Sequence, residues 1–416
     1  MRAVPSVRVE NAVILCALAV GGCGSGGGSP DADGGTGTEV IDAGPDAGGC
    51  PAPAERSELT EHPGGVLVVG DQPGTVVEAD PSIEYPPGAP GGALAYTAVP
   101  LVGGVPDQGG LHTRVALSDD AGAHWTFVAV ANTADIIATP PGTCPPDATC
   151  SATRVHETSS ILFDPGDPSE DRRWKLITHR YPVVKVAGDP EAKLFYALGH
   201  IALATAPLPS GPWSAPAPLA AWPGGDGQGA PFTTDGDPVT AGCGALGEPG
   251  AALAPDGSLH LAMACIRPPF DDPTLDIVLL RSLDHGASWQ ALSTPLTGAD
   301  GACVGGGGHR VNAADIFTAD NREYLIATPE AADQRLGCAV YPFADVAAGT
   351  LDRTGGAPQP ARLLTLRFAA DELVHYAGAC TVGEGAPATG FTMSHLLLAA
   401  GQPLALHELV SGVRAP

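Results

Sequence analysis

Three acidic residues stand at corresponding places along the chain. Asp80 lies in DPSIEY, Glu157 in ETSSILFDP and Glu248 in EPGAALAP, and each opens a short apolar run of strand character. Two carboxyls can divide acid and base work when their surroundings push their pKa values apart. Hydrolysis of a glycosidic bond with inversion needs a pair about 6.5–9.5 Å apart, which leaves room for the attacking water. Asp-Pro and Glu-Thr also begin strands for purely local reasons, so position alone does not assign the chemistry. No G-x-S-x-G elbow and no H-E-x-x-H pair is present. The run CVGGGGHR at 303–310 lacks the Lys-Ser/Thr of a phosphate loop and reads as a loop above a channel.

The elements that would hold these acids repeat. SDDAGAHW at 118–125 returns as SLDHGASW at 282–289, both of the form Ser-x-Asp-x-Gly-x-x-Trp, in a chain with five tryptophans. Short apolar runs precede each copy. The pattern is strand, turn, strand, loop, strand, Asp-containing turn, strand, which is a four-stranded antiparallel meander. Eroded copies start at ETSSILFDP, NAADIFTAD and YAGACTV. With DPSIEY leading the first, five units run from residue 76 to 414. The expected fold is all-β: a β-propeller of four-stranded antiparallel blades, five blades favoured over six. Within the repeats, Asp120 and Asp284 are expected to accept backbone N–H bonds in turns, Gly122 and Gly286 to supply positive φ, and Trp125 and Trp289 to pack between sheets. Those roles are structural.

Ser-x-Asp-x-Gly-x-x-Trp resembles the Asp-box, or bacterial neuraminidase repeat, of sialidases and other propellers. The run from EPGAALAPDGSLHLAMACIR to RSLDHGASW resembles a sialidase stretch. The resemblance implies that Glu248 matches the glutamate acting on the tyrosine nucleophile and Arg267 one arginine of the carboxylate-binding triad. Tyr376 in HYAGACT loosely resembles that tyrosine, an exceptional nucleophile among glycosidases. The Phe/Tyr-Arg-Ile-Pro motif is absent; Arg114, Arg154 and Arg310 stand as substitutes outside any matching motif. A second resemblance is to five-bladed glycosidases of the arabinanase and xylosidase type, whose innermost strands carry acids facing the axis. It implies that Asp80, Glu157 and Glu248 serve as base, acid and tuning group, with Glu157 where that family has Asp. His156 and His309, each before an inner strand, are candidates for sugar hydroxyls or a metal, and Asp315 for the axis. Trp174 and Trp222 are candidate sugar platforms.

Composition bounds the rest. The 416 residues hold 56 glycines and 42 prolines, which favours short strands and turns. A net charge of −26 without a basic stripe gives no footprint for nucleic acid and none for anionic lipid. Residues 1–22 read as a signal peptide with the apolar core AVILCALAV, too short to span a bilayer. VGGC at 20–23 resembles a bacterial lipobox that would lipidate Cys23, and residues 23–50 form an acidic, Gly-rich tether. Residues 51–416 are the propeller domain. Eight cysteines remain, an even number that suits four disulfides in an oxidising compartment. The pairs expected are Cys144–Cys150, Cys243–Cys265, Cys303–Cys338 and Cys50–Cys380.

The sequence thus points to a propeller of the bacterial cell envelope, an outer-membrane lipoprotein or a secreted protein. A monomer is expected, touching the membrane only through its lipid. The expected partner is a carbohydrate or glycoconjugate. No cofactor and no catalytic metal is expected, with room for a structural calcium. A glycosidase is the leading function; a non-catalytic glycan- or protein-binding propeller and a structural envelope lipoprotein are the alternatives. The candidate catalytic residues are Glu248, Asp80, Glu157 and Tyr376, and the candidate substrate-binding residues are Arg267, Arg310, Arg154 and His156.

Overall fold

The computed structural model describes residues 50–59, 69–70, 76–102, 105–189, 191–270, 273–304, 310–331, 334–367, 376–382, 391–397 and 405–410. The leader, Cys23, the tether and His309 lie outside them. Short β1 (Glu55–Leu59) is followed by a first sheet of β2 (Val76–Glu84), β3 (Gly92–Val102), β4 (His112–Ser118) and β5 (Trp125–Val130). The second sheet has β6 (Cys150–Phe163), β7 (Trp174–Val186), β8 (His200–Ala206) and β9 (Ala217–Ala221). The third has β10 (Ala245–Leu253), β11 (Leu259–Arg267), β12 (Thr274–Ser282) and β13 (Gln290–Leu296). A fourth is built from β14 (Val311–Ala319), β15 (Arg322–Ala331), β16 (Gln334–Asp345) and β17 (Arg362–Leu366). Finally come β18 (Tyr376–Val382), β19 (Phe391–Leu397) and β20 (Ala405–Val410).

Neighbours within each sheet are antiparallel, and β1 adds in parallel to β17, with Glu55 and Arg362 ion-paired across the join. The leading strands β2, β6, β10, β14 and β18 each pack on the next, and β18 packs back on β2. The fold is therefore the expected β-propeller of four-stranded antiparallel sheets. Strand β11 shows why these sheets form. Its sequence LHLAMACIR is almost wholly buried, because both faces meet a neighbouring sheet. Leu259, Leu261, Met263 and Cys265 pack with Ile177, Ile201 and Trp222 of the second sheet's side. Ala262, with Ile277 and Leu279 of β12, packs with Leu325 and Ala339 of the fourth sheet. Period-two alternation thus sends successive residues into two different inter-sheet cores.

A feature without a sequence motif recurs at the axis. Each leading strand carries one non-glycine residue at positive φ, at a bulge: Asp80 (53°), Thr158 (45°), Glu248 (48°), Ala313 (45°) and Ala379 (48°). A bulge re-aims side chains and leaves a backbone N–H outside the ladder. Here hydroxyls from the preceding sheet accept those N–H groups. Thr97 Oγ1 takes Thr158 N at 2.8 Å, Thr328 Oγ1 takes Ala379 N at 3.0 Å, and Ser394 Oγ takes Asp80 N at 2.8 Å. The last bond joins residues 314 apart in sequence and ties the final sheet to the first. Gly250 is needed here for space: a Cβ on it would stand 2.1 Å from Ala314 O on the next leading strand.

The two octapeptides have the structural role expected of them. Ser282 Oγ donates to Asp284 Oδ1 (2.8 Å), which also accepts Ser288 N (2.8 Å), while Gly286 N reaches Ser282 Oγ (2.8 Å). Ser118, Asp120, Gly122 and His124 repeat these contacts in the first sheet. Gly122 and Gly286 hold φ of 84° and 89°, and Trp125 and Trp289 are buried. Asp284→Ala should therefore cost about 1–2 kcal/mol in urea unfolding, since it strands turn donors without touching the axis.

Two expected disulfides are corrected. Cys144–Cys150 and Cys243–Cys265 form as expected, but the others are Cys50–Cys303 and Cys338–Cys380. The N-terminal segment joins the fourth sheet through β1, not the last sheet, so Cys50 does not meet Cys380. Strands β16 and β18 pair in parallel, which brings Cys338 to Cys380. The fourth sheet also differs: its outer strand β17 lies beyond residues 346–361, past the 312–343 span that the repeat suggested. Trp174 and Trp222 are buried, one against Phe163 and the other bonded to Ala197 O, so neither is a surface sugar platform.

Candidate active site

The three acids converge. Asp80 and Glu248 are the bulge residues of β2 and β10, and Glu157 immediately precedes the bulge of β6. All are buried, at 8%, 5% and 4% exposure. Thr158 Oγ1 donates to Asp80 Oδ2 at 3.4 Å, linking the first two strands. Burial raises the pKa of Asp80, opposed by the Arg335 charge and by hydrogen bonds from Thr97 and Thr158. Glu157 lies well above the usual carboxyl range, through burial first and then the charges of Asp80 and Glu248. Glu248 is raised from 4.5 to about 7 by burial, opposed by Arg335, with Glu330 and Asp80 adding repulsion. Glu157 feels both other acids and Glu248 feels Asp80, as residues sharing one site would.

Their partners come from elements that sequence reasoning did not connect. Glu248 Oε1 accepts Arg335 Nη2 and Asn312 Nδ2, both at 2.9 Å. The same two side chains reach Glu330 Oε1, from Arg335 Nε at 2.7 Å and Asn312 Nδ2 at 3.1 Å. Glu248 Oε2 is buried with no hydrogen-bond partner among the described residues. On the other flank, Tyr181 OH donates to Glu157 Oε2 at 2.6 Å. Tyr181 packs against Tyr196 and His179, with ring centroids 4.6 and 4.8 Å away. A cavity of about 20 Å³, the size of a water, lies along the axis beside Asp80, Thr158, Ser160, Ala313, Asp315 and Ala379. This arrangement favours protons on Glu157 and Glu248, beside an Asp80 whose charged form Arg335, Thr97 and Thr158 support against burial.

Arg267, Arg310, Arg154 and His156 are engaged by other partners. Arg267, at the end of β11, donates to Asp276 (2.8 Å) and to Ala241 O. Arg310 Nε donates to Pro273 O at 3.3 Å. Arg154 pairs with Asp226 (2.5 Å), which also takes His200 Nδ1 (2.5 Å). His156 is buried against Thr178 Oγ1 at 3.2 Å. Burial and the charges of Arg180, His200, Arg154 and His112 lower its pKa to about 3, so it is neutral. Tyr376 opens β18 opposite Arg335, and its side chain is outside the described residues. Asp164, Asp167 and His285 cluster at metal-ligand spacing, but Lys175 Nζ, itself 1% exposed, already stands 2.7 Å from Asp167 and 3.5 Å from Asp164. An ammonium there supplies the positive charge a calcium would bring.

Arg335, Asn312, Glu330 and Tyr181 were not among the candidates from sequence. The available signal was faint: an arginine in the apolar strand RLGCAVYPF of a chain with only 20 lysines and arginines.

Fold and site together define a β-propeller whose axis gathers carboxylates from three successive leading strands around one buried arginine. No protein-family model matches the chain, and no curated protein matches it. Among solved structures, it is similar to the catalytic domain of a GH62 alpha-L-arabinofuranosidase of Coprinopsis cinerea: 12% identity over 86% of this chain and 97% of that one, TM-score 0.44. It is also similar to the native arabinanase of Bacillus subtilis, with 13% identity, 80% and 93% coverage and a TM-score of 0.40. A family 117 glycoside hydrolase of Zobellia galactanivorans shares 16% identity over 84% and 91%, TM-score 0.44.

Proposed function

We propose that the protein is a propeller glycoside hydrolase acting on an extracellular glycan. The observation that carries this reading is Glu248: a carboxyl raised to about 7, held through Oε1 and with Oε2 unpartnered, beside two further acids. In the proposed reaction Glu248 gives its proton to the glycosidic oxygen as the bond from that oxygen to the anomeric carbon breaks. A water adds to that carbon, and Asp80 takes the water's proton. Asp80 suits the base role because Arg335, Thr97 and Thr158 all favour its charged form. Glu157, held by Tyr181, tunes the pair.

The leader and tether expected from residues 1–49, with four disulfides, support a location outside the cytoplasm, anchored or secreted. A second reading, a glycan- or protein-binding propeller without catalysis, is favoured by the burial of all three acids below 10% exposure. One experiment separates them. The purified domain is assayed on a panel of aryl glycosides, including an arabinofuranoside, a xyloside and a sialoside. The hydrolase reading expects turnover of at least one, with Asp80→Asn lowering kcat about 10²–10⁴-fold. Saturable glycan binding without release of the aryl group, or full activity in Asp80→Asn, overturns it.

A further inference from the structure

The carboxyl of Glu248 does not stand alone with its arginine. Arg335 and Asn312 each bridge the same two oxygens, Oε1 of Glu248 and Oε1 of Glu330, closing a ring of four hydrogen bonds between 2.7 and 3.1 Å. Glu330 sits on β15 directly across from Arg335 on β16, is 2% exposed, and does not line the axial cavity. Nε and Nη2 open on one edge of the guanidinium, so Glu330 stands beside Glu248 on that edge, with Asn312 Nδ2 reaching both oxygens. Counting charge across the ring gives one guanidinium between two buried carboxyls. One cation cannot neutralise both, so the arginine leaves one of them favoured in its protonated form. Asn312 donates to both through one nitrogen and has no charge to add. The groups from other elements that share the field of Glu248 are Asp80 on β2, Glu157 on β6 and Tyr196, with His179 and Tyr181 of β7 packed against Tyr196. Arg335 is the cation that acts on Glu248.

We propose that Glu330 is a positioning residue for this site: by sharing the donors of Arg335 and Asn312 with Glu248, it holds Glu248 through one oxygen and leaves the other oxygen of Glu248 carrying the transferable proton. This rests on the hydrolase reading for its catalytic meaning, but the electrostatic claim stands on the ring itself. With Glu330 neutralised, Arg335 serves Glu248 alone and stabilises its ionised form. The proton is then lost at lower pH.

The test is Glu330→Gln, whose amide oxygen still accepts from Arg335 while the charge is gone. The alkaline limb of kcat/KM on a turned-over glycoside with a poor leaving group, which needs the proton of Glu248, should move down by about one pH unit. In parallel, the Glu248 carboxyl is titrated by difference infrared spectroscopy, against Glu248→Gln as the blank, in both backgrounds. It should shift by the same amount. A merely structural role would lower stability and leave the titration where it was; an unchanged Glu248 midpoint in folded Glu330→Gln overturns the proposal. If that variant does not fold, Glu330→Asp, which withdraws the carboxylate by one methylene, should shift the midpoint in the same direction by less, and no shift there is equally fatal. Should no glycoside be turned over, the hydrolase reading falls and the infrared titration still decides the role of Glu330.

Discussion

If the protein is the proposed hydrolase, Glu248→Gln should remove hydrolysis while leaving the fold intact, and in any case it should flatten the dependence of stability on pH. The substitution is isosteric. Its amide oxygen can take over the bonds from Arg335 and Asn312, and its NH₂ falls where Oε2 now has no partner. What disappears is the proton. For glycosides with poor leaving groups, kcat should fall about 10²–10⁴-fold. Aryl glycosides whose leaving phenolate needs no protonation should lose far less, and that contrast marks a general acid.

Stability should respond too. A carboxyl raised from 4.5 to about 7 is bound more tightly to its proton in the folded state than in the unfolded chain. Its favourable contribution is full below pH 4.5 and is lost as pH rises to 7, a change of about 3 kcal/mol. Asp80 and Glu157 are raised as well and act in the same direction. Urea unfolding at pH 5 and pH 8 should therefore show the wild type weakening with rising pH, and Glu248→Gln weakening less by about that amount. Equal slopes in the two proteins would place Glu248 in water, not in a buried cluster.

How far the sequence went depends on which strand a residue occupies. Asp80, Glu157 and Glu248 were legible because each opens a repeated unit, and the repeat itself was marked by two octapeptides. Leading strands meet at the axis in any propeller, so finding the unit starts finds the acids. Arg335, Glu330 and Tyr181 sit on inner strands, and their meeting depends on strand register across sheets, which no local pattern encodes. The bulges are equally silent: their positive-φ residues are Asp, Thr, Glu, Ala and Ala, with no glycine to announce them. The disulfides divide the same way. Cys144–Cys150 and Cys243–Cys265 are local, at separations of 6 and 22, whereas Cys50–Cys303 depends on β1 joining the fourth sheet and Cys338–Cys380 on the parallel pairing of β16 with β18. Trp174 and Trp222 were misjudged because a large aromatic reads alike whether it faces sugar or fills an inter-sheet core.

Arg335→Met should be the most destabilising single change at the site. The guanidinium is 1% exposed and holds Glu248 at 2.9 Å and Glu330 at 2.7 Å. Methionine fills much of the volume but supplies no donor. Two carboxyls then face each other with only Asn312 between them. Removing one partner of a buried ion pair costs about 3–5 kcal/mol, because the uncompensated charge is what remains. Lysine should not restore the site, since a single ammonium does not reproduce the fork through which Nε serves Glu330 and Nη2 serves Glu248. The cost should also be conditional. In Arg335→Met combined with Glu330→Leu, one stranded carboxyl is gone, so the double variant should be more stable than Arg335→Met alone, a coupling of about 1–3 kcal/mol. Additive losses in urea unfolding would mean that the two side chains do not share a charge balance. Because Arg335 lies three residues before Cys338 and beside β18, loss of its anchor should also loosen the β16–β18 junction, read as faster amide exchange at Leu336 and Ala377. Stability of the last sheet and acidity of Glu248 are thus set by the same buried cation.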